Sequence, residues 1–203
     1  MDYFNHEERE KQKKFSNWRD KHLKSLLKAL TSLNVSPNAI TIIGVLLLAI
    51  AATLSKEYIF FVAIFLILYV AFDGIDGPLA RYQSKAHTGG ALIDISADQM
   101  GVVILPIAAI YHFNINGISS VLFSTGYVVF IAFSIFLNEK SIKTAKYVRV
   151  KYPFYVLYFL ELVFNFNFLD KFMMIFGFYY WIMIFLTLRV IYNYYDTLNK
   201  NKN

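Results

Sequence analysis

The sequence predicts an all-α membrane protein: a six-transmembrane-helix bundle preceded by an N-terminal amphipathic helix on the cytoplasmic face. Three observations carry that expectation. Of 203 residues, 57% are hydrophobic and only 17% charged, whereas soluble domains hold about 45–50% apolar and about 25% charged residues. Apolar stretches near the roughly 20 residues that a helix needs to cross hydrocarbon recur along the chain. Lys and Arg collect in alternate connections between those stretches.

Taken in order, residues 6–31 place Trp18, Leu23, Leu26, Leu27 and Leu30 near helical spacing among Lys and Arg. That is the pattern of a basic helix lying on anionic lipid headgroups. A bundle over 38–193 follows, with crossings expected at 38–54, 58–80, 90–112, 118–137, 152–169 and 172–193. Little chain is left over, so 1–203 reads as a single membrane domain. The charged first 30 residues lack the apolar core and small-residue cleavage site of a signal peptide. No cysteine is present, which excludes disulfides and thiolate chemistry.

Charge placement sets the expected orientation. Cations fall in the N-terminal segment (Arg9 to Lys28), the second connection (Arg81, Lys85), the fourth (Lys140, Lys143, Lys146, Arg149, Lys151) and the C-terminal end (Arg189, Lys200, Lys202). The opposite side receives Lys56 and Lys171 alone, each beside an acid. The positive-inside rule then puts both termini in the cytoplasm. The net charge of +6 suits a membrane partner better than nucleic acid, for no helix-turn-helix, zinc-finger or RNA-binding aromatic motif accompanies it.

Against this apolar background stand Asp73, Asp76, Asp94 and Asp98. An acid near the bilayer centre costs about 2.5–3.5 kcal/mol, so four of them require a reason. Asp73 and Asp76 are three residues apart, and Asp94 and Asp98 four apart, so each pair shares a helix face. A short polar loop joins the two helices as antiparallel neighbours, which lets all four carboxylates converge on one cavity. Oxygen ligands alone suit a hard divalent cation, and a bound cation keeps crowded carboxylates ionised. Gly74, Gly77, Ala80, Gly89, Gly90 and Ala91 leave room for close approach to the backbone. Arg81, one turn after Gly77, supplies a guanidinium suited to phosphate. Metal, guanidinium and backbone clearance together read as a diphosphate site.

The same residues resemble the CDP-alcohol phosphotransferase family. Its signature, D-x2-D-G-x2-A-R-x8-G-x3-D-x3-D, is met at every fixed position: Asp73, Asp76, Gly77, Ala80, Arg81, Gly90, Asp94 and Asp98. Upstream, "SPNAIT" from Ser36 to Thr41 resembles the family's P-N-x-x-T segment. The resemblance implies transfer of a substituted phosphate from a CDP-linked donor, such as CDP-diacylglycerol, to a polar alcohol, with release of CMP in phospholipid synthesis. It implies Asp73, Asp76, Asp94 and Asp98 as ligands of one or two Mg or Mn ions, and Asp98 as the catalytic base. Gly77, Ala80 and Arg81 would bind the CDP donor, with Asn38 and Thr41 contributing. A homodimer is implied as well.

Two other readings stay open at this stage. A divalent-cation transporter also carries intramembrane acids, but such proteins commonly distribute them over repeated halves. A structural metal site would require neither Arg81 nor the paired glycines. Glu161 lies deeper than the motif and reads as structural. For the acceptor, Lys140, Lys143, Arg149 and Arg189 are candidate ligands of a phosphorylated polyol such as inositol phosphate or glycerol 3-phosphate. Relatives that act on glycerol phosphate often carry Arg soon after P-N-x-x-T and a D-P-x-A-D-K stretch. Here Gly44 and "DISADQ" stand in those regions. The glycine is shared with enzymes for inositol phosphate. It is shared too with those using CDP-choline or CDP-ethanolamine and diacylglycerol, the alternative donor chemistry.

Overall fold

A computed structural model describes residues 6–142 and 146–200, which form eight α-helices. These are α1 (His6–His22), α2 (Lys24–Ser32), α3 (Pro37–Thr53), α4 (Ile59–Tyr82), α5 (Thr88–Phe113), α6 (Gly117–Glu139), α7 (Lys151–Phe164) and α8 (Leu169–Lys200). A 3-10 turn, Lys56–Tyr58, leads into α4.

Local chemistry sets the boundaries. Ser36 caps α3 by accepting from Ala39 N at 3.2 Å, with Pro37 in the first turn, where its missing N–H costs nothing. His87 Nδ1 caps α5 by accepting from Gly90 N, and Asn116 caps α6 by accepting from Ile118 N. Asn114 and Asn165 end α5 and α7 with φ of 56° and 50°, the left-handed conformation that asparagine tolerates.

The expected count of six crossings is corrected. Among the described residues, four segments are long and apolar enough to cross a membrane: Lys56–Tyr82, Thr88–Phe113, Gly117–Glu139 and Leu169–Lys200. A fifth is added only if α2 and α3, bent by 99° at their junction, count as one crossing. The stretch expected at 152–169 stops at Phe164, because Asn165 turns the chain. Its 14 residues reach only about 21 Å, short of the roughly 30 Å hydrocarbon core. Apolar composition continued past the helix end and concealed the turn.

The expected N-terminal amphipathic helix over 6–31 is also corrected. The segment breaks at Leu23 into two helices, and α1 has no clear apolar stripe setting it apart. Phe15 and Trp18 are the only large apolar side chains of α1, and both are exposed. Leu23 stands at the break, and Leu26, Leu27 and Leu30 belong to α2, where Leu27 is buried against Ile40 and Leu79. Both helices therefore pack on the bundle: α1 reaches α4, and α2 is tied on when Gln83 donates to Thr31 Oγ1 at 3.3 Å, with Val35 O just beyond the helix accepting at 2.8 Å.

The main core lies among α3 to α8, around Phe123, Tyr127, Phe130, Phe154, Tyr158 and Tyr180. Glycine permits a close approach of α6 and α8: a Cβ at Gly177 would stand 3.0 Å from Phe123 N, and one at Gly126 3.4 Å from Gly177 O. Outside, Phe60, Ile67, Val121, Ile182 and Phe185 are exposed, as side chains solvated by lipid are. Glu161 is buried, and its carboxylate accepts from Asn167 N at 2.8 Å and Phe168 N at 3.2 Å. It thus satisfies the backbone that leads into α8. His112 bridges Tyr158 and the carbonyl of Leu54 at the same end of the bundle.

Candidate functional site

The last turns of α4 and the first turns of α5 meet at the other end, and they bring the signature residues to one place. Carboxylate oxygens of Asp73, Asp94 and Asp98 lie within 4.8 Å of one another. Asp76, buried beside them, is held differently: Thr41 Oγ1 donates to its Oδ2 at 2.5 Å, and Gly77 N to its Oδ1 at 2.6 Å. Thr41 therefore ties α3 into the acid cluster.

A cation from α7 completes the cluster. Lys151 Nζ donates to both oxygens of Asp73, at 3.0 and 3.1 Å, and also to Asp98. Tyr152 donates its hydroxyl to Asp73 Oδ2 at 2.9 Å. Below, Tyr69 donates to the carbonyl of Ala97 at 3.3 Å and lies 3.2 Å from the Tyr155 hydroxyl. Both tyrosines press on Gly101, where no Cβ intervenes. Asp98 thus sits on a floor built by α4, α5 and α7.

Two cavities open here. One, of about 290 Å³, is lined by Asp73, Asp94 and Asp98, with Arg149 and Lys151 on one side and Arg19 of α1 on another. The second, of about 150 Å³, is lined by Asn38, Thr41, Gly77, Ala80 and Arg81, together with His87 and Gly90. Asp76, Gly77, Arg81, Ala91 and Asp94 border both, so the cavities adjoin. At the shared wall Arg81 pairs with Asp20 of α1 through two hydrogen bonds. That pairing, with the nearby Arg81 and Arg19 charges, holds the Asp20 carboxyl below its usual range against a smaller opposing effect of burial.

All five residues expected to bind the donor thus line the second cavity, and Arg149 lines the first. Lys140, at the end of α6, and Arg189, on α8, are exposed and border neither cavity. Lys143 lies outside the described residues. Sequence reasoning had Lys151 near the site only as one of five cations in its connection, with no carboxylate partner, and left Tyr152, Asp20 and Arg19 out. Lys151 stands 78 residues from Asp73, and no spacing rule connects them.

The donor set fits a divalent cation. Asp73, Asp94 and Asp98 offer carboxylate oxygens alone, close enough together to share a hard cation, and the ammonium of Lys151 bonds only Asp73 and Asp98 of the three.

Comparison with solved structures finds the same fold in Mycobacterium tuberculosis phosphatidylinositol phosphate synthase. The crystal structure of that protein in complex with manganese and citrate superposes with a TM-score of 0.67 at 16% identity, covering 83% of this chain and 88% of that one. Its apo form gives a TM-score of 0.66 at 17% identity, covering 83% and 95%. No curated protein matches by sequence. The family model described as CDP-alcohol phosphatidyltransferase matches residues 34–192.

Proposed function

Because this chain belongs to the CDP-alcohol phosphatidyltransferase family, we propose that its adjoining cavities bind a CDP-lipid and a phosphorylated polyol side by side. The family activity itself, transfer of a substituted phosphate from a CDP-linked donor to an alcohol, follows from membership. The donor's lipid tails, the acceptor and the roles of individual residues are our reading. One observation carries it: the cavity lined by the expected donor residues shares a wall with one lined by Asp73, Asp94 and Asp98 together with Arg19, Arg149 and Lys151.

In this reading Asn38, Thr41, Gly77, Ala80 and Arg81 hold the CDP moiety. Gly77 clears the backbone for the diphosphate, and Arg81 meets its charge. Asp73, Asp94 and Asp98, with Asp76 beside them, hold a divalent ion, Mg²⁺ or Mn²⁺. When bound, that ion neutralises the diphosphate and the CMP that leaves. Asp98 takes the proton from the acceptor hydroxyl, whose oxygen bonds to the β-phosphorus as the bond to CMP breaks. Lys151 and Tyr152 fix the carboxylates in place. Arg149 and Arg19 offer guanidinium groups to an acceptor phosphate. The phosphatidylinositol phosphate synthase with this fold makes inositol phosphate the first acceptor to try.

The orientation is part of the proposal. Segments bearing Arg19, Arg81, Lys85, Arg149 and Lys151 meet at the Asp end. Lys56 lies at the opposite end, bonded to Asn165. The positive-inside rule then turns the site toward the cytoplasm, where CDP-linked donors and soluble acceptors meet. Residues 1–203 act in this reading as one domain.

The test is CMP release by purified protein supplied with CDP-diacylglycerol, Mg²⁺ or Mn²⁺, and one acceptor at a time. Inositol phosphate, glycerol 3-phosphate, inositol and serine form the panel. CMP that requires inositol phosphate and stops in EDTA supports the proposal. CMP that requires an uncharged alcohol removes the phosphate role of Arg149 and Arg19. Turnover only with CDP-choline or CDP-ethanolamine and diacylglycerol overturns the assignment of donor.

A further inference from the structure

Asp20 lies on α1, outside residues 34–192 that the family model matches. Its carboxylate meets the guanidinium of Arg81 edge to edge: Nε donates to Oδ2 at 2.7 Å and Nη2 to Oδ1 at 2.8 Å. Two parallel bonds fix a planar group in direction as well as place. The opposite edge of the same guanidinium faces inward. Its Nη1 lies 3.5 Å from where a Cβ on Gly77 would stand, over the wall common to the two cavities. Arg81 is otherwise lightly restrained, for its side chain is 41% exposed. Left alone, so long and exposed a side chain samples many rotamers, and ordering it would fall on ligand binding.

We propose that Asp20 is a positioning residue for the donor: it grips the Nε–Nη2 edge of Arg81 and presents the Nη1 edge over Gly77 to the diphosphate. This deepens the proposed function and rests on its reading of that cavity as the CDP site. The same contact docks α1 as a roof over the larger cavity, where Gln12, Ser16 and Arg19 contribute to the lining. Placing Arg19 next to Asp20 offsets the carboxylate, so the roof does not repel an anionic ligand.

Titration of full-length, detergent-purified protein with CDP in Mg²⁺, beside steady-state kinetics with CDP-diacylglycerol, tests the role. Wild type, Asp20→Asn, Asp20→Glu, Arg81→Ala and the Asp20→Asn/Arg81→Ala pair are compared. Asp20→Asn should weaken CDP binding about tenfold and raise the donor KM more than it lowers kcat. Asp20→Glu, which keeps the carboxylate, should recover part of the loss. With Arg81 already removed, Asp20→Asn should add nothing. Equal CDP affinity in wild type and Asp20→Asn overturns the positioning role alone. So does tighter binding by Asp20→Asn, which would make Asp20 a competitor for the guanidinium. So does a further loss on the Arg81→Ala background. A wild-type protein that binds no CDP overturns the donor-site reading and this role with it.

Discussion

Lys151 Nζ lies 3.0 Å from Asp73 Oδ1 and bonds Asp98 as well, so one ammonium from α7 joins the carboxylates of α4 and α5. The ends of this pair are nearly dry: the side chains of Lys151 and Asp73 are 7% and 9% exposed. Removing one partner of a buried ion pair costs about 3–5 kcal/mol, because the other charge is left without compensation. Lys151→Met should therefore lower the unfolding temperature sharply in EDTA. Mg²⁺ or Mn²⁺ should restore more of it than in wild type, since a divalent ion can replace the missing charge. Thermal scanning in detergent with and without metal checks this. An unchanged unfolding temperature in EDTA would show that the ammonium does not hold the cluster together.

The division of labour among the four acids gives a second prediction. Asp98 is buried, borders the cavity that Arg149 and Lys151 line, and reaches the donor cavity through none of its walls. Asp98→Asn keeps the shape but cannot accept a proton. General-base catalysis contributes about 10²–10⁴-fold, so kcat should fall by at least the lower figure. CDP binding should be partly retained, because Asn38, Thr41, Gly77 and Arg81 are untouched and Asp73 and Asp94 still offer carboxylates to the metal. Turnover by Asp98→Asn near the wild-type rate would remove the base role.

How much of this could be read from the chain depends on the distance over which each signal acts. The acid cluster was legible because helical periodicity converts spacings of three and four residues into shared faces, and a short loop joins the two helices. Thr41 was legible through its own motif, and the structure gives it a definite partner in Asp76. The crossings were miscounted because hydropathy does not register where a helix stops. Asn165 ends α7 within an apolar run, and α3, whose start Ser36 and Pro37 did mark, has only 17 residues and lies at 99° to α2. The pairings of Lys151 and Asp20 were invisible for another reason. Each residue pairs with a partner 61 or more positions away, and a lone cation or acid in a basic connection reads as surface charge. Arg189 and Lys140 had the same local appearance as Arg149, yet only Arg149 borders the cavity.

The floor beneath Asp98 yields the last prediction. A Cβ on Gly101 would overlap the hydroxyls of both Tyr69 and Tyr155 and stand 3.0 Å from Tyr155 Cζ. Those hydroxyls cannot swing away cheaply, since Tyr69 is 2% and Tyr155 3% exposed. Overpacking of this kind costs about 1–3 kcal/mol. Gly101→Ala should lower the unfolding temperature, and it should lower activity too, because Tyr69 bonds the carbonyl of Ala97 immediately before Asp98. The Tyr69→Phe/Tyr155→Phe protein begins less stable, having lost the bonds those hydroxyls make. It should nevertheless tolerate Gly101→Ala better than wild type does, because the overlapping oxygens are gone. Unfolding temperatures of the four proteins measure that difference. An equal drop in both backgrounds would mean that the glycine is required by some contact other than the tyrosine pair.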